Sequence, residues 1–100
     1  MTALTQQQHN TFTILQPVGN LDFFSASAFQ NELLSALQNG VAHLIIDMSK
    51  VSSVDSSGLG ALVRGTKTAL NMHVDLRLVS ASQQVRHVLK MTGLDYLLRL

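Results

Sequence analysis

From Val41 to Met48 the chain is apolar at every position except His43 and Asp47. A short apolar run of this kind, set off by Gly40 before it and Ser49 after it, reads as a central strand covered on both faces. Such a strand cannot stand alone. It needs neighbouring strands and packed helices, and the rest of the sequence has to supply both.

The flanking segments alternate between strand-like and helix-like patterns with turn residues between them, the pattern of an α/β domain with a largely parallel sheet. Residues 2–8 read as a weak first strand and His9-Asn10 as a turn. A stronger strand follows over 11–18, led by Phe12, Ile14 and Val18. Pro17 cannot donate a ladder hydrogen bond, which puts that strand end at an edge or a bulge. Gly19-Asn20-Leu21-Asp22 breaks the pattern. Ser25 is a good N-cap for a helix over about 26–38, with Phe24 spaced to staple onto Phe29. Phe29, Leu33, Ala36 and Leu37 form its buried stripe, and Gly40 stops it.

After Ser49 to Val54, the segment Asp55-Ser56-Ser57-Gly58 opens a second helix whose apolar face is Leu59, Leu62, Val63, Thr66 and Leu70. Val74, Leu76 and Leu78 alternate with Asp75 and Arg77 as a strand with one wetter side. A third helix over about 82–92 turns Val85, Val88 and Leu89 inward and ends at Gly93. The expected order is β-β-α-β-α-β-α with a short tail. Met48, Met72 and Met91 read as core filler. At 100 residues, a single domain over 1–100 is expected.

Composition narrows the function classes. Charged residues are only 13% of the chain, about half the usual share. Neutral and apolar groups therefore cover part of the surface, and apolar patches mark sites that meet another protein. A net charge of +1 is far from the basic excess of a phosphate-neutralising protein, which argues against nucleic acid. Residues 1–55 carry four acids and one base, and 56–100 two acids and six bases. That asymmetry either orients a partner or is chance in a small sample. Asp22 is the single charge among residues 1–31. The chain has no cysteine, so there is no disulfide framework or thiolate metal site. It shows no signal-peptide pattern at its start and no apolar run of membrane-spanning length. A soluble cytoplasmic protein that does not insert into a membrane is expected.

Little here points to catalysis. His9, His43, His73 and His87 fall in four separate segments without metal-pair spacing, so no metal is expected. There is no phosphate-binding loop, dinucleotide fingerprint or nucleophile elbow, and no cofactor is expected. Ser56 or Ser57 with a distant histidine would be the one arrangement for a small serine hydrolase, but little chain is left to build a substrate cleft.

Val54-Asp55-Ser56-Ser57-Gly58-Leu59-Gly60 stands out, placed where a strand hands over to a helix. One reading is structural: Asp55 or Ser56 caps the helix, and Gly58 and Gly60 permit close packing. The other is functional, because a hydroxyl beside free amides at a helix start is a place where an attached phosphate is tolerated. Each glycine costs about 1 kcal/mol relative to alanine, which close approach of a backbone or a phosphate would offset.

Gly19-Asn20-Leu21-Asp22, Asp55-Ser56-Ser57-Gly58-Leu59-Gly60 and Met91-Thr92-Gly93-Leu94, at these separations, resemble the bacterial anti-sigma factor antagonists that define the STAS domain. The likeness runs from about residue 11 to the end of the chain. It implies an α/β fold with a mixed, mostly parallel sheet of four or five strands packed by three or more helices. It also implies a non-enzymatic binding protein. In that family the serine after the aspartate, Ser56 here, is phosphorylated by a partner serine/threonine kinase of the GHKL ATPase type that is itself the anti-sigma factor. A PP2C-type phosphatase reverses the modification.

The unmodified form binds the kinase and the phosphorylated form lets go. Asp22, Asp55, Ser57 and Gly58 then belong to the partner-binding surface. Phe23 either joins them as an exposed aromatic or packs under the sheet edge. A second role stays open, since STAS domains also occur as subunits or appendages of membrane transporters, including ABC-type lipid transporters.

Overall fold

The computed structural model describes residues 3–8 and 12–98. The turn expected at His9-Asn10 lies outside them. The elements are β1 (Ala3–Gln8), β2 (Phe12–Leu21), α1 (Ala26–Gln38), β3 (His43–Asp47), β4 (Val51–Val54), α2 (Ser56–Asn71), β5 (Asp75–Val79) and α3 (Gln83–Met91), followed by a 3-10 turn over Asp95–Leu97.

β2 organises the five-stranded sheet, whose path runs β1-β2-β3-β5. β1 pairs with it antiparallel, from Ala3 opposite Val18 to Gln8 opposite Thr13. β3 pairs with it in parallel over Phe12–Leu15, and β5 continues in parallel from β3. β4 pairs in parallel with the far end of β2, at Gly19–Leu21. The sheet is thus mixed and mostly parallel, as the resemblance implied. Pro17 sits between the two parallel registers, opposite Leu4 of β1.

Two expectations about strands change. Gly19-Asn20 does not end β2. Gly19 takes φ +97° and the register shifts between it and Asn20, so the irregularity changes the strand's partner and leaves the strand running to Leu21. The second is β4, read in sequence as a connection. Val51 and Val54 are buried while Ser52 is exposed and Ser53 half-buried. Four residues with two central serines are too few and too polar to show a strand period.

The sheet is also less enclosed than the Val41–Met48 run suggested. Leu44 and Ile46 are fully buried with Phe29, Leu33 and Leu62 in the core, but His43 is exposed and Ile45 and Asp47 are half-buried. Polar pairs lace the half-open face. Gln16 Nε2 donates to Asp47 Oδ2 at 2.9 Å, and Arg77 Nε donates to Asp75 Oδ2 at 2.9 Å, with His43 Nδ1 3.3 Å from the same oxygen. Burial pushes the Asp47 carboxyl up, yet the Ser49 and Gln16 hydrogen bonds and the Lys50 charge outweigh it and hold the group below its usual 3.8. The Arg77 hydrogen bond does the same for Asp75, against a smaller opposing effect of burial. Both remain charged at neutral pH, which keeps this face from being an apolar one.

α1 buries the expected stripe of Phe29, Leu33, Ala36 and Leu37. Its start differs from expectation. Phe24 is 91% exposed while Phe29 is fully buried, so no staple forms. α2 is turned from its predicted orientation. It buries Gly58, Ala61, Leu62, Gly65 and Ala69, whereas Leu59, Val63 and Thr66 are half-buried and Leu70 is 74% exposed.

The reason is close packing against α1. A side-chain carbon on Gly65 would overlap Cδ2 and Cγ of Leu33, so the helix approaches through its small residues, which hydrophobic periodicity does not count. α3 buries Val85 and Leu89, with Val88 half-buried. Met48 is core as expected, but Met72 and Met91, at 42% and 74% exposure, are not.

Gly65→Ala is therefore expected to destabilise the protein by about 1–3 kcal/mol of overpacking, reduced by the roughly 1 kcal/mol gain in helix propensity. In a Leu33→Ala background, which opens the space, the same substitution should become neutral or stabilising. Urea unfolding of the four-member cycle checks this, and an unchanged cost in both backgrounds would refute the contact.

Candidate functional site

The end of β2, the turn into α1 and the start of α2 meet at one place. Asp55, in extended conformation, caps α2: its Oδ1 accepts from the Ser57 amide at 2.8 Å and the Gly58 amide at 3.1 Å. The Leu59 amide bonds the Asp55 carbonyl at 2.9 Å. The second oxygen, Oδ2, accepts from the Phe23 amide at 3.3 Å. One carboxylate thus joins the helix start to the turn before α1. Of the two capping candidates in the sequence, Asp55 does the capping.

Gly58 shows why that helix carries a glycine in its first turn. A Cβ there would meet the Leu21 backbone, with the carbonyl carbon at 2.9 Å, and backbone cannot yield as a side-chain end can. The Asp55 amide donates to the Leu21 carbonyl at 3.0 Å, so β2 and α2 touch backbone to backbone. Gly60 answers a different need. The atoms nearest to a Cβ there would be those of the Arg64 guanidinium, with Nη1 at 3.2 Å.

Asp22 holds the turn from inside. Its Oδ1 accepts from the Phe24 amide at 3.0 Å and the Ser25 amide at 3.2 Å, and its carbonyl accepts from the Ala26 amide at 2.8 Å. Ser25, expected to cap α1 through its side chain, does not. Buried at 4% exposure, its Oγ donates to the Asn20 carbonyl at 2.7 Å and accepts from the Asp22 amide at 3.0 Å. It closes the turn instead of the helix. Locked in this way, the turn projects Phe23 and Phe24 outward at 74% and 91% exposure. Their rings meet edge to face at 5.5 Å. Packing of Phe23 under the sheet edge is excluded.

Phe23, Ala26, Ser27, Ser56, Ser57, Gly60 and Arg64 line a shallow depression of about 270 Å³. Ser56 is exposed and Ser57 half-buried. Of the residues singled out in sequence, Phe23, Ser56 and Ser57 border this depression, Asp55 and Gly58 lie behind it, and Asp22 supports the turn without lining it. Arg64 was missed. Its spacing of four from Gly60, one helical turn on, was the available signal. The depression's lining has no histidine, and among the described residues no group of His, Asp or Glu is placed to hold a metal ion. No described helix is long and apolar enough to cross a membrane.

Asp55→Ala should cost about 1–2 kcal/mol in urea unfolding through loss of the cap, and should raise amide exchange at Phe23 as well as at Ser57 and Gly58. Ser56→Ala should change stability by less than about 0.5 kcal/mol. Exchange at Phe23 unaffected by Asp55→Ala would remove the proposed coupling.

Residues 3–100 match the STAS domain. The anti-sigma-B factor antagonist of Staphylococcus epidermidis is 30% identical over 91 residues, covering 90% of this chain and 83% of that protein. Two solved structures share the fold at 20% identity. The anti-sigma factor antagonist SpoIIAA in its unphosphorylated form superimposes with a TM-score of 0.84, covering 97% of this chain and 86% of the other. The Bacillus cell fate determinant SpoIIAA in the phosphorylated form does so with a TM-score of 0.78, covering 97% and 89%. With a sheet, helix order and near full-length match in common, the chain belongs to the STAS-domain family of bacterial anti-sigma factor antagonists.

Proposed function

We propose that this protein is a non-enzymatic, phosphorylation-switched antagonist of an anti-sigma factor. Unmodified, it binds a serine-kinase anti-sigma factor of the GHKL type. The kinase transfers the γ-phosphoryl group of ATP to Ser56 Oγ, the hydroxyl proton and ADP leave, and the complex dissociates. A PP2C-type phosphatase restores the binding form. The observation that carries this reading is the exposed Ser56 hydroxyl beside the exposed Phe23–Phe24 pair, with Asp55 tying the two segments together. The likeness in sequence to an anti-sigma-B factor antagonist supports the role, and a fold relative described in its phosphorylated form supports the switch.

The geometry makes the switch affordable to the fold. Asp55, not Ser56, holds the Ser57 and Gly58 amides, so modifying Ser56 removes no cap. Phe23 supplies an aromatic centre of the kind enriched in interface cores. A phosphoserine brings a charge of about −1.5 to −2 at pH 7 next to the Asp55 carboxylate. Taking that dianion out of water against a partner costs several kcal/mol of desolvation, and a penalty of about 3–4 kcal/mol weakens binding by two to three orders of magnitude.

Binding of a purified GHKL-type anti-sigma kinase from the same organism, measured by calorimetry, tests this. Ser56→Asp should fold and unfold like the wild type yet lose roughly 100-fold or more in affinity, and ATP should place phosphate on Ser56 by mass spectrometry. Phe23→Ala should weaken kinase binding by about 10-fold or more, as loss of a central aromatic does, with stability unchanged. Wild-type affinity in Ser56→Asp, or stable co-purification with a transporter in place of the kinase, would overturn the reading.

A further inference from the structure

The amides at the start of α2 are mostly spoken for. Asp55 Oδ1 takes those of Ser57 and Gly58, and the Asp55 carbonyl takes that of Leu59. A phosphate on Ser56 would therefore not find the usual nest of free amides at a helix start, and it would stand next to a carboxylate. Another donor has to meet it.

Arg64 is positioned to do so. It projects from α2 into the depression that Ser56 and Ser57 also line. Side chains on a helix lean toward its N-terminus, and the guanidinium lies over Gly60, where a Cβ would be 3.2 Å from Nη1 and 3.7 Å from Nη2. Gly60 is one turn, about 6 Å of rise, beyond Ser56. Across the groove, Gln30 Oε1 on α1 accepts from Arg64 Nε at 2.7 Å. That contact holds Nε and leaves Nη1 and Nη2 beside Gly60, which lines the same depression. Among the described residues Arg64 has no carboxylate in an ion pair, whereas Arg77 does. The three atoms nearest to a Cβ at position 60 all belong to this guanidinium, so the glycine leaves room for it.

We propose that Arg64 is the phosphate clamp of this switch: when Ser56 is phosphorylated, the Nη1 and Nη2 groups of Arg64 hold the phosphoryl oxygens in the depression over Gly60. The proposal rests on the modification of Ser56 argued above. Its consequence is that the phosphorylated form presents its phosphate in one place, drawn back along α2 and away from Asp55. The planar fork of the guanidinium suits two oxygens of one phosphate at once.

The test uses the full chain with phosphoserine installed at position 56 during translation, so that no kinase is needed. A phosphorus NMR titration reads the second ionisation of the phosphate. At low salt it should fall about 0.3–0.7 pH units lower in the wild type than in Arg64→Gln, the shift expected of an exposed ion pair. The difference should shrink in 1 M salt, where screening acts within about 3 Å. Gln30→Ala, which removes the Nε partner and keeps the charge, should retain most of the shift, and Arg64→Lys part of it. Superimposable titrations for the wild type and Arg64→Gln at low salt would overturn the clamp. Absence of phosphate on Ser56 after treatment with ATP and the kinase would instead overturn the switch itself, so the two failures are distinct.

Discussion

The site depends on the Asp55 carboxylate being shared between segments 32 residues apart in sequence. One oxygen caps α2 and the other takes the Phe23 amide. An uncharged cap such as serine offers a single oxygen and could not serve both so readily. Behind this bridge, the Asp55 amide on the Leu21 carbonyl and the contact of Gly58 with the Leu21 backbone press strand and helix together. Close approach at Gly58 brings the carboxylate within reach of the turn. The turn in turn owes its shape to Asp22 and Ser25, whose hydrogen bonds face inward.

How much of this was readable in the sequence follows from what kind of interaction carries each part. Elements with a strong period came through: α1 over residues 26–38, the Leu76 and Leu78 alternation in β5, and the stop glycines at 40 and 93, both of which take positive φ. Elements defined by contact did not. β4 has four residues and no period, and exists because β2 changes partner at Gly19. The face of α2 was misplaced because Gly58, Ala61, Gly65 and Ala69 carry little hydrophobic signal, while their smallness is what lets α1 come close. The staple of Phe24 on Phe29 failed for a similar reason. The hydrogen bonds of Asp22 and Ser25 set that turn's shape, and the ring it carries stands 91% exposed.

The same division runs through the site. Asp55, Ser56 and Gly58 were visible as a motif, and the close-packing explanation of Gly58 proved to be the structural fact. Gly60 needed the structure, because its neighbour is a side chain one turn away on the same helix. Phe23 was ambiguous in sequence between surface and core; its 74% exposure resolves it. The scarcity of charge among the first 31 residues also takes on a location. Their single charge, Asp22, accepts from amides of the turn, and beside it Phe23 and Phe24 stand exposed.

Under the proposed switch, capping and modification fall to adjacent residues, and that separation has physical content. If the serine that receives the phosphate also capped the helix, phosphorylation would have to disturb the helix start to change binding, and stability would move with signal. Here Asp55 makes the cap bonds and Ser56 makes none, so a charge on Ser56 would leave those bonds in place. The helix dipole favours an anion at that end by about 0.3–1 kcal/mol, whereas repulsion from Asp55 opposes it. The two effects oppose each other, so the fold feels only their difference. In the proposed switch, the partner interface, where desolvation is costly, is the place where the modification registers.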